Sequence, residues 1–411
     1  MSGKSDDAAF IDRVESFHVE HCRRIGAPLS SGVGYNDPDD LAAARVYQAA
    51  LADAGLAGLT TPTEFGGAGL TAHHQELFTQ TAAAWYRPDS ALSISHGMCL
   101  PMLNQYGTHE QKTAYLADLV RGTTVWCQMF SEPGAGSDVA GLATRAVLDG
   151  EEWTLDGQKV WTSGAHYCDF GLVVARTDPS LPKHQGLSMF IVDLHSPGVD
   201  IRPLVQMSGA RGFNEIFFSD VRFPQANLLG EANQGWSLAV SMLMFERVSI
   251  GAGGGGLNTK RTPELIQLAR DLGRSDDPLV RQALSDLHIR EEIKGYIAQR
   301  IRAAAAAGRV PGPEGSIAKL TGALLARRTR DTAMAITKTG GQAWNQLDQH
   351  HQDLRAAAGE KWSNFCYNAA GISLAGGTDE VQRNIIGERV LGLPKEPDAF
   401  KGAAWQDVPR N

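Results

Sequence analysis

The spacing of apolar residues changes twice along this chain, and these changes limit the folds that it can adopt. Between residues 38 and 123 apolar residues recur about every 3.6 positions, as in helices that bury one side. The first stripe in this segment consists of Leu41, Ala44, Tyr47 and Leu51. Between residues 126 and 228 the period becomes that of strands, and helical patterns then return as far as residue 391. The order helical, β, helical predicts an α+β protein.

The middle segment contains the predicted strands. Apolar residues flank the Asp156-Gly157 pair in EEWTLDGQKVW, and such a pair favours a β-hairpin turn. The apolar residues concerned are Trp153, Leu155 and Val160. The stretches LSMFIVDL and NEIFFSDVRF predict further strands.

A chain of 411 residues is long for one ordinary core and suits two or three domains. The pattern predicts an N-terminal helical domain over residues 1–124 and a middle β domain over residues 125–232. It predicts a C-terminal helical domain over residues 233–411, interrupted by a loop at residues 307–316.

Charge and cysteine content narrow the function classes. The net charge of −8 argues against nucleic-acid binding, and the basic run ARRTRD at residues 326–331 predicts the exposed face of a helix. The five cysteines form no C-x-x-C pair, which is typical of a reducing compartment. The chain has no apolar stretch of membrane-spanning length and its N-terminus has no apolar signal core, so we expect a soluble, cytoplasmic protein without membrane association.

Two motif matches are set aside. GAGGGG at residues 251–256 satisfies G-x-G-x-x-G, but it follows a helical pattern where a dinucleotide site needs a strand, so we interpret it as close helix packing or a helix break. His18, His21 and Cys22 have no second ligand group nearby, and we predict no metal site there or at His350-His351.

Three separated motifs carry a family resemblance. SEPGAGSD at residues 131–138 predicts a tight turn with exposed backbone N–H groups, which suit phosphates or a polar ring edge. It is followed by Trp161-Thr162-Ser163 and, near the C-terminus, by GGTDEVQRNII from residue 376. In this order and in these segments, the motifs resemble those of the acyl-CoA dehydrogenases over roughly residues 38–392. The resemblance implies an N-terminal helical domain, a middle β-barrel or sandwich, a C-terminal four-helix bundle, and FAD between the last two.

The resemblance also assigns roles to individual residues. It implies that the segment Met129, Phe130 and Ser131 lines the flavin, and that Trp161, Thr162 and Ser163 cover its ring or bond its edge near N5. It further implies that Thr378 and Glu380 reach the FAD phosphate or ribose region. Ser137 is expected to contact CoA, and Gly377 to leave room for the thioester.

The expected catalytic base is missing from its usual place. Most of the family has a glutamate immediately before the Gly-Thr of the last motif, and here that residue is Gly376. A minority, including isovaleryl-CoA dehydrogenase-like enzymes, carries the glutamate on another helix before an arginine. Glu246 and Arg247 match that pattern, so we predict Glu246 as the base that removes the α-proton, with Arg247 contacting the substrate. Gly376 would retain only its backbone N–H, which polarises the thioester carbonyl in the family.

The helix pattern supports Glu246 without the resemblance. Its neighbours Leu243, Met244, Phe245 and Val248 are apolar, and burying a carboxylate among them is costly unless it is paired or functional. Arg247 is a poor intrahelical partner, because adjacent helix residues do not face each other. The alternative is a glutamate on the solvent side of an amphipathic helix.

The chain departs from the family where the FAD adenine end is bound across a subunit interface. ARDLGRSDDPLVRQ at residues 269–282 replaces the usual Arg-x-x-Phe-Gly stretch, and Thr337 replaces a glutamine. Gln282, Gly340 and Gly341 remain as expected FAD contacts. We therefore expect residues 269–282 near an interface in a homo- or heterotetramer, or in a dimer.

Three functions follow from these observations. The first is an FAD-dependent acyl-CoA dehydrogenase that makes a trans-2-enoyl-CoA and passes electrons to an electron-transfer flavoprotein. The second is a subunit that needs a paralogue for a complete FAD site. The third, a flavin monooxygenase or desulfinase of the same fold, explains Gly376 but not Glu246. The sequence leaves the acyl group open, because substrate choice depends on the pocket.

Overall fold

A computed structural model describes residues 2–24, 38–251, 260–306, 313–338 and 354–409. These residues form two compact units. The first contains the described residues up to 251 together with residues 398–409, and the second contains the described residues from 260 to 397. GAGGGG from residue 252 onward, Gly340, Gly341 and His350-His351 lie outside the described residues, as does most of the predicted loop at 307–316.

The helices of the first unit are α1 Ser2–His21, α2 Pro38–Asp53, α3 Ala72–Ala82, α4 Leu100–Tyr106, α5 His109–Arg121 and α6 Gly235–Gly251. A π-helical turn, Ser95–Cys99, leads into α4. The predicted stripe of α2 is confirmed, since Ala44, Tyr47 and Leu51 are buried. None of the described helices combines the length and apolar composition needed to cross a bilayer.

The N-terminal helix α1 packs firmly into this unit. Phe10, Val14 and Phe17 are buried in its core. His18 is also buried, with Nδ1 2.7 Å from the Val14 carbonyl and Nε2 3.1 Å from the Tyr47 hydroxyl. Burial lowers the pKa of His18, so the neutral imidazole is favoured as a hydrogen-bonding core residue.

The strands are β1 Arg23–Arg24, β2 Trp85–Tyr86, β3 Trp126–Met129, β4 Arg145–Asp149, β5 Glu152–Ser163, β6 Phe170–Arg176, β7 Leu187–Asp193, β8 Val199–Leu204, β9 Phe213–Pro224 and β10 Leu228–Leu229. The main sheet has the order β10-β7-β6-β4-β5-β9-β8, with β3 parallel to β6. Strands β1 and β2 pair separately. The strands predicted at 187–194 and 214–223 are therefore confirmed as β7 and β9.

The centre of the sheet is covered on both faces. Leu172 and Val174 of β6 join the core that contains the helices, whereas Val173 and Ala175 join a second apolar cluster. This explains why β6 and β7 have nearly continuous apolar sequences, since alternation is expected only where one face meets water.

The hairpin predicted at Asp156-Gly157 is wrong. Both residues lie inside the continuous strand β5, where its pairing with β9 shifts register between Leu155 and Gly157. The turn between β4 and β5 instead lies at Gly150, between the paired residues Asp149 and Glu152. The chain contains two Asp-Gly pairs here, and the sequence pattern pointed to the wrong one.

The second unit is helical. Its helices are α7 Thr262–Asp271, α8 Pro278–Ala306, α9 Glu314–Thr337, α10 Leu354–Ile372 and α11 Asp379–Ile385, followed by a π-helical turn Ile386–Val390. Helix α9 packs against α8, α10 and α11. The apolar core includes Leu265, Leu287, Ala333 and Trp362.

Candidate functional site

A buried ion pair fixes the first predicted flavin segment. Lys159 Nζ lies 2.8 Å from Glu132 Oε1 and donates a second bond to the Phe130 carbonyl at 3.0 Å. Glu132 also accepts hydrogen bonds from the backbone N–H groups of Ala143 and Thr144, at 2.6 and 3.0 Å. Burial alone would raise the pKa of Glu132, but the Lys159 ammonium and these hydrogen bonds outweigh it and hold the pKa below its ordinary value.

This pair brings two of the predicted site segments together. The Val160 N–H donates to the Ser131 carbonyl at 2.9 Å, so the residues after β3 adjoin β5 just before Trp161. Met129 and Phe130 are buried, and Ser131 is half-buried. The backbone of residues 129–131 is therefore held rigidly beside Trp161, as a site built on a sheet requires.

Trp161 lies at a β-bulge with an unusual backbone. Lys159 pairs with Ile216 and Thr162 pairs with Asn214, so β5 contains one more residue than β9 between these two pairs. The φ angle of Trp161 is 61°, in the left-handed region that bulky residues avoid, and the residue is 61% exposed. Such strain persists where surrounding structure enforces it and is typical of functional sites. The bulge directs a large aromatic ring outward from the sheet.

The next residue carries a buried hydroxyl. Thr162 is 2% exposed, and its Oγ1 has no hydrogen-bond partner among the described residues. Its carbonyl accepts a bond from Asn214 Nδ2 at 2.9 Å, which fixes the backbone. A buried hydroxyl without a partner is costly, so this position fits a ligand that supplies one. Ser163, beside it, is half-buried.

The loop of residues 133–142 carries the predicted CoA contact. Ser137 is exposed, and its neighbour Asp138 forms an ion pair with Lys183 at 2.8 Å. The Arg176 guanidinium donates to the carbonyls of Ala140 and Leu142 at 2.6 and 3.3 Å. The loop is thus anchored at its C-terminal side, while Ser137 remains accessible to solvent.

Glu246 lies on α6 in line with the buried residues. Leu238, Ala239 and Met242 are buried, whereas Val240 and Met244 are 36% and 41% exposed. Glu246 follows Met242 by one helical turn and is half-buried, so it lies near the core side of the helix. The Arg247 side chain is outside the described part of the structure, and its predicted substrate contact stays a prediction.

In the second unit, the predicted glycine motif forms a tight turn before α11. Gly376 and Gly377 have φ angles of 66° and 85°. Gln382 Nε2 donates to both of their carbonyls, at 3.0 and 3.2 Å. A Cβ at Gly377 would lie 2.7 Å from that nitrogen and would displace the end of the Gln382 side chain, while the left-handed backbone itself favours glycine. Thr378 Oγ1 caps α11 by accepting from the Val381 N–H at 3.2 Å.

A second buried carboxylate anchors this turn. Asp379 is 3% exposed and lies 2.9 Å from Arg327 and 3.6 Å from Lys319, both on α9. Arg327 belongs to the basic run at 326–331, so that run is more than the solvent face predicted from sequence. Glu380 is exposed and pairs with Arg383 at 3.3 Å. Gln282 is exposed on α8.

Sequence reasoning missed the residues that hold these segments in place. Glu132 lies inside the recognised SEPGAGSD motif, but nothing in the local pattern marks Lys159 as its partner, 27 residues away. Likewise Asp379 and Gln382 lie in the recognised C-terminal motif, and only the fold reveals Arg327. A charged residue at an inward position of a strand was the available signal for Lys159.

Comparison with known proteins defines the family. Residues 7–123, 127–221 and 233–391 match the models of the acyl-CoA dehydrogenase N-terminal, middle and C-terminal domains. The chain therefore belongs to the acyl-CoA dehydrogenase family, whose members are flavin-dependent oxidoreductases of lipid metabolism. The α+β fold and the order of its helical and sheet segments are confirmed by the same matches.

Individual relatives span nearly the whole chain. Acyl-CoA dehydrogenase IpdE1 of Mycobacterium tuberculosis is 35% identical over 358 residues, which cover 86% of this chain and 88% of that protein. A solved structure of the Tcur3481-Tcur3483 steroid ACAD is 27% identical with a TM-score of 0.76, covering 95% of this chain and 98% of that one. The ChsE4-ChsE5 complex from Mycobacterium tuberculosis is 28% identical with a TM-score of 0.74, and covers 95% and 98%.

Proposed function

We propose that this protein is an FAD-dependent acyl-CoA dehydrogenase, which converts an acyl-CoA thioester to the trans-2-enoyl-CoA and passes electrons to an electron-transfer flavoprotein. The observation that carries the proposal is the position of Glu246, one turn after the fully buried Met242 on α6. A half-buried carboxylate on the core side of an apolar helix is better placed to act as a catalytic base than a glutamate that faces solvent.

The residues near the β5 bulge fit a flavin. Thr162 Oγ1 lacks a partner among the described residues, and Trp161 presents an exposed ring from a strained backbone. We assign the flavin ring to Met129, Phe130, Ser131, Trp161, Thr162 and Ser163. We assign the rest of FAD to Thr378, Glu380, Gln282, Gly340 and Gly341. When bound, FAD supplies the acceptor for the hydride that leaves the β-carbon.

The chain's own groups have three tasks in the reaction. Glu246 removes the proton from the α-carbon. The Gly376 N–H donates a hydrogen bond to the thioester carbonyl, which stabilises negative charge on that oxygen by roughly 3 kcal/mol. Ser137 and Arg247 contact the CoA portion or acyl group, and Gly377 leaves space for the thioester because it has no side chain.

Spectral titration tests the proposal. Purified protein loaded with FAD is mixed anaerobically with a panel of acyl-CoA thioesters with linear, branched and steroid-sized acyl groups. Bleaching of the flavin absorbance by one class is expected, and the steroid-sized class is included because a similar solved structure is described as a steroid ACAD. Absence of bleaching by the whole panel, with FAD bound, would exclude the function.

A heteromeric assembly is the second candidate. The replaced stretch at 269–282 and the likeness to the ChsE4-ChsE5 complex both favour a flavin site completed by a second, paralogous chain. Co-expression with each paralogue, followed by native mass and flavin content, tests this. A homomeric protein with full flavin occupancy would exclude it.

A further inference from the structure

The last part of the chain returns to the first unit. Residues 398–409, which we term the C-terminal strap, belong to that unit and follow the last residue matched by the family models. Trp405 is its one strongly buried side chain among the described strap residues, at 9% exposure. The burial of this large aromatic side chain shows that the strap is docked against the first unit.

Backbone hydrogen bonds hold the strap against residues 179–182. The Trp405 N–H donates to the Leu181 carbonyl at 2.9 Å, and the Gln406 N–H donates to the Pro179 carbonyl at 3.1 Å. Ala404 and Pro182 form an antiparallel bridge. The strap is therefore fixed by two backbone hydrogen bonds at Trp405 and Gln406, which hold the Trp405 side chain in place.

That side chain contacts the anchor of the 133–142 loop in two ways. Its Nε1 donates to the Gly141 carbonyl at 3.2 Å. Its ring lies under the Arg176 guanidinium, with 4.5 Å between the guanidinium carbon and the ring centroid. Arg176 in turn binds the carbonyls of Ala140 and Leu142. Trp405 therefore acts on three consecutive residues of the loop, one directly and two through Arg176.

We propose that Trp405 is a positioning residue, which fixes the 133–142 loop and thereby sets the affinity for acyl-CoA. The part concerning acyl-CoA rests on the proposed function, because Ser137 in this loop is assigned to CoA. Ser137 is exposed and lies four residues before Gly141. Release of the Gly141 carbonyl and of Arg176 would let the loop sample other conformations, so substrate would bind more weakly while the chemical step stayed intact.

The chain offers graded variants for the test. Trp405→Phe removes the N–H but retains a ring beside Arg176, and Trp405→Ala removes both contacts. Gln406→Ala is the matched control, since its side chain is exposed and only its backbone binds Pro179. Thermal unfolding of each variant first establishes that it folds, and Trp405→Phe remains usable if Trp405→Ala does not fold.

The primary readout is hydrogen exchange of the amides in residues 133–142 of the full chain. We expect exchange to accelerate roughly three- to tenfold in Trp405→Ala, less in Trp405→Phe and not at all in Gln406→Ala, in line with the loss of one or two modest interactions. Unchanged exchange in both Trp405 variants would overturn the proposal, whether or not the protein has dehydrogenase activity.

The second readout is steady-state turnover with an acyl-CoA that bleaches the wild-type flavin. KM should rise roughly three- to tenfold in Trp405→Ala with kcat nearly unchanged. A fall in kcat at constant KM, or no change in either while exchange accelerates, would overturn the link to substrate affinity. If the wild-type flavin is bleached by no acyl-CoA, the proposed function fails, and hydrogen exchange still decides whether Trp405 fixes the loop.

Discussion

Lys159 and Glu132 form an ion pair with 2.8 Å between Nζ and Oε1, and their side chains are 0% and 8% exposed. Removing one partner leaves a buried charge without its counter-ion. We expect Lys159→Met to lower the free energy of unfolding by roughly 3–5 kcal/mol, measured by urea denaturation. Arg121→Gln, which breaks the exposed pair with Asp53, is the control and should have little effect. Similar losses for the two variants would contradict the structural role of the buried pair.

The same pair predicts a loss of stability in acid. The pKa of Glu132 in the folded protein lies below the ordinary value of 4.5, so the unfolded chain binds the proton more readily. The contribution of ionised Glu132 to the free energy of unfolding is complete above pH 4.5 and is lost as the pH falls through the lower pKa of the folded protein. The slope of unfolding free energy against pH in this range should be shallower in Glu132→Gln than in the wild type. Equal slopes would show that Glu132 does not contribute.

Trp161→Gly should separate stability from cofactor binding. Glycine adopts a φ of 61° without the penalty of a side chain, so we expect the free energy of unfolding of the apoprotein to rise by up to about 1 kcal/mol. Flavin retention should fall, because the exposed ring is lost. Asp220→Gly is the matched control, because Asp220 also has a left-handed backbone, with a φ of 51°, and lies on the paired strand β9. This control should leave flavin retention unchanged. Full retention in Trp161→Gly would remove Trp161 from the flavin site.

Thr162→Val tests the buried hydroxyl. The substitution keeps the shape of the side chain and removes an oxygen that lacks a partner among the described residues, so the apoprotein should be as stable or more stable. If Oγ1 binds the flavin, the dissociation constant for FAD should rise roughly tenfold, as measured by fluorescence titration. Thr162→Ser keeps the hydroxyl and serves as the control. An unchanged dissociation constant in Thr162→Val would exclude the contact.

Glu246→Gln tests the base. The amide preserves the shape of the side chain but accepts no proton, so turnover should fall roughly 10²-fold or more while FAD stays bound. Glu231→Gln, which alters an exposed acid shortly before α6, should leave turnover unchanged.

Adding Gly376→Glu to Glu246→Gln should restore part of the activity by placing a carboxylate where most of the family has it. The φ of 66° at Gly376 makes that addition destabilising by about 1–2 kcal/mol. Near-normal turnover in Glu246→Gln would refute the assignment.

Sequence periodicity predicted those elements whose burial is one-sided or continuous. The stripe of α2 and the strands β7 and β9 were confirmed because burial itself selects apolar residues there. The turn was misplaced at Asp156-Gly157 because turn propensity is local, whereas the pairing of β5 with β9 on both sides of these residues overrides it. Lys159 was missed because its partner is close only in the folded sheet.

The family motifs located the candidate segments but not what holds them. They mark Trp161 and Gly376 without revealing the left-handed backbone at either position. The strain at Trp161 arises from the bulge against β9, which depends on residues more than 50 positions away. The assignments of individual contacts to FAD and acyl-CoA therefore remain predictions for the experiments above.

The docking of Trp405 also has a consequence during protein synthesis. Gly141 and Trp405 are separated by 264 residues, so this contact cannot form while residues 260–397 are still being translated. A nascent chain can form most of its sheet early. Its 133–142 loop, however, lacks the contacts with Trp405 until the strap has been synthesised. We expect a chain that is cut short by a stop codon within the helices of the second unit, and that therefore lacks Trp405, to expose this loop to proteases.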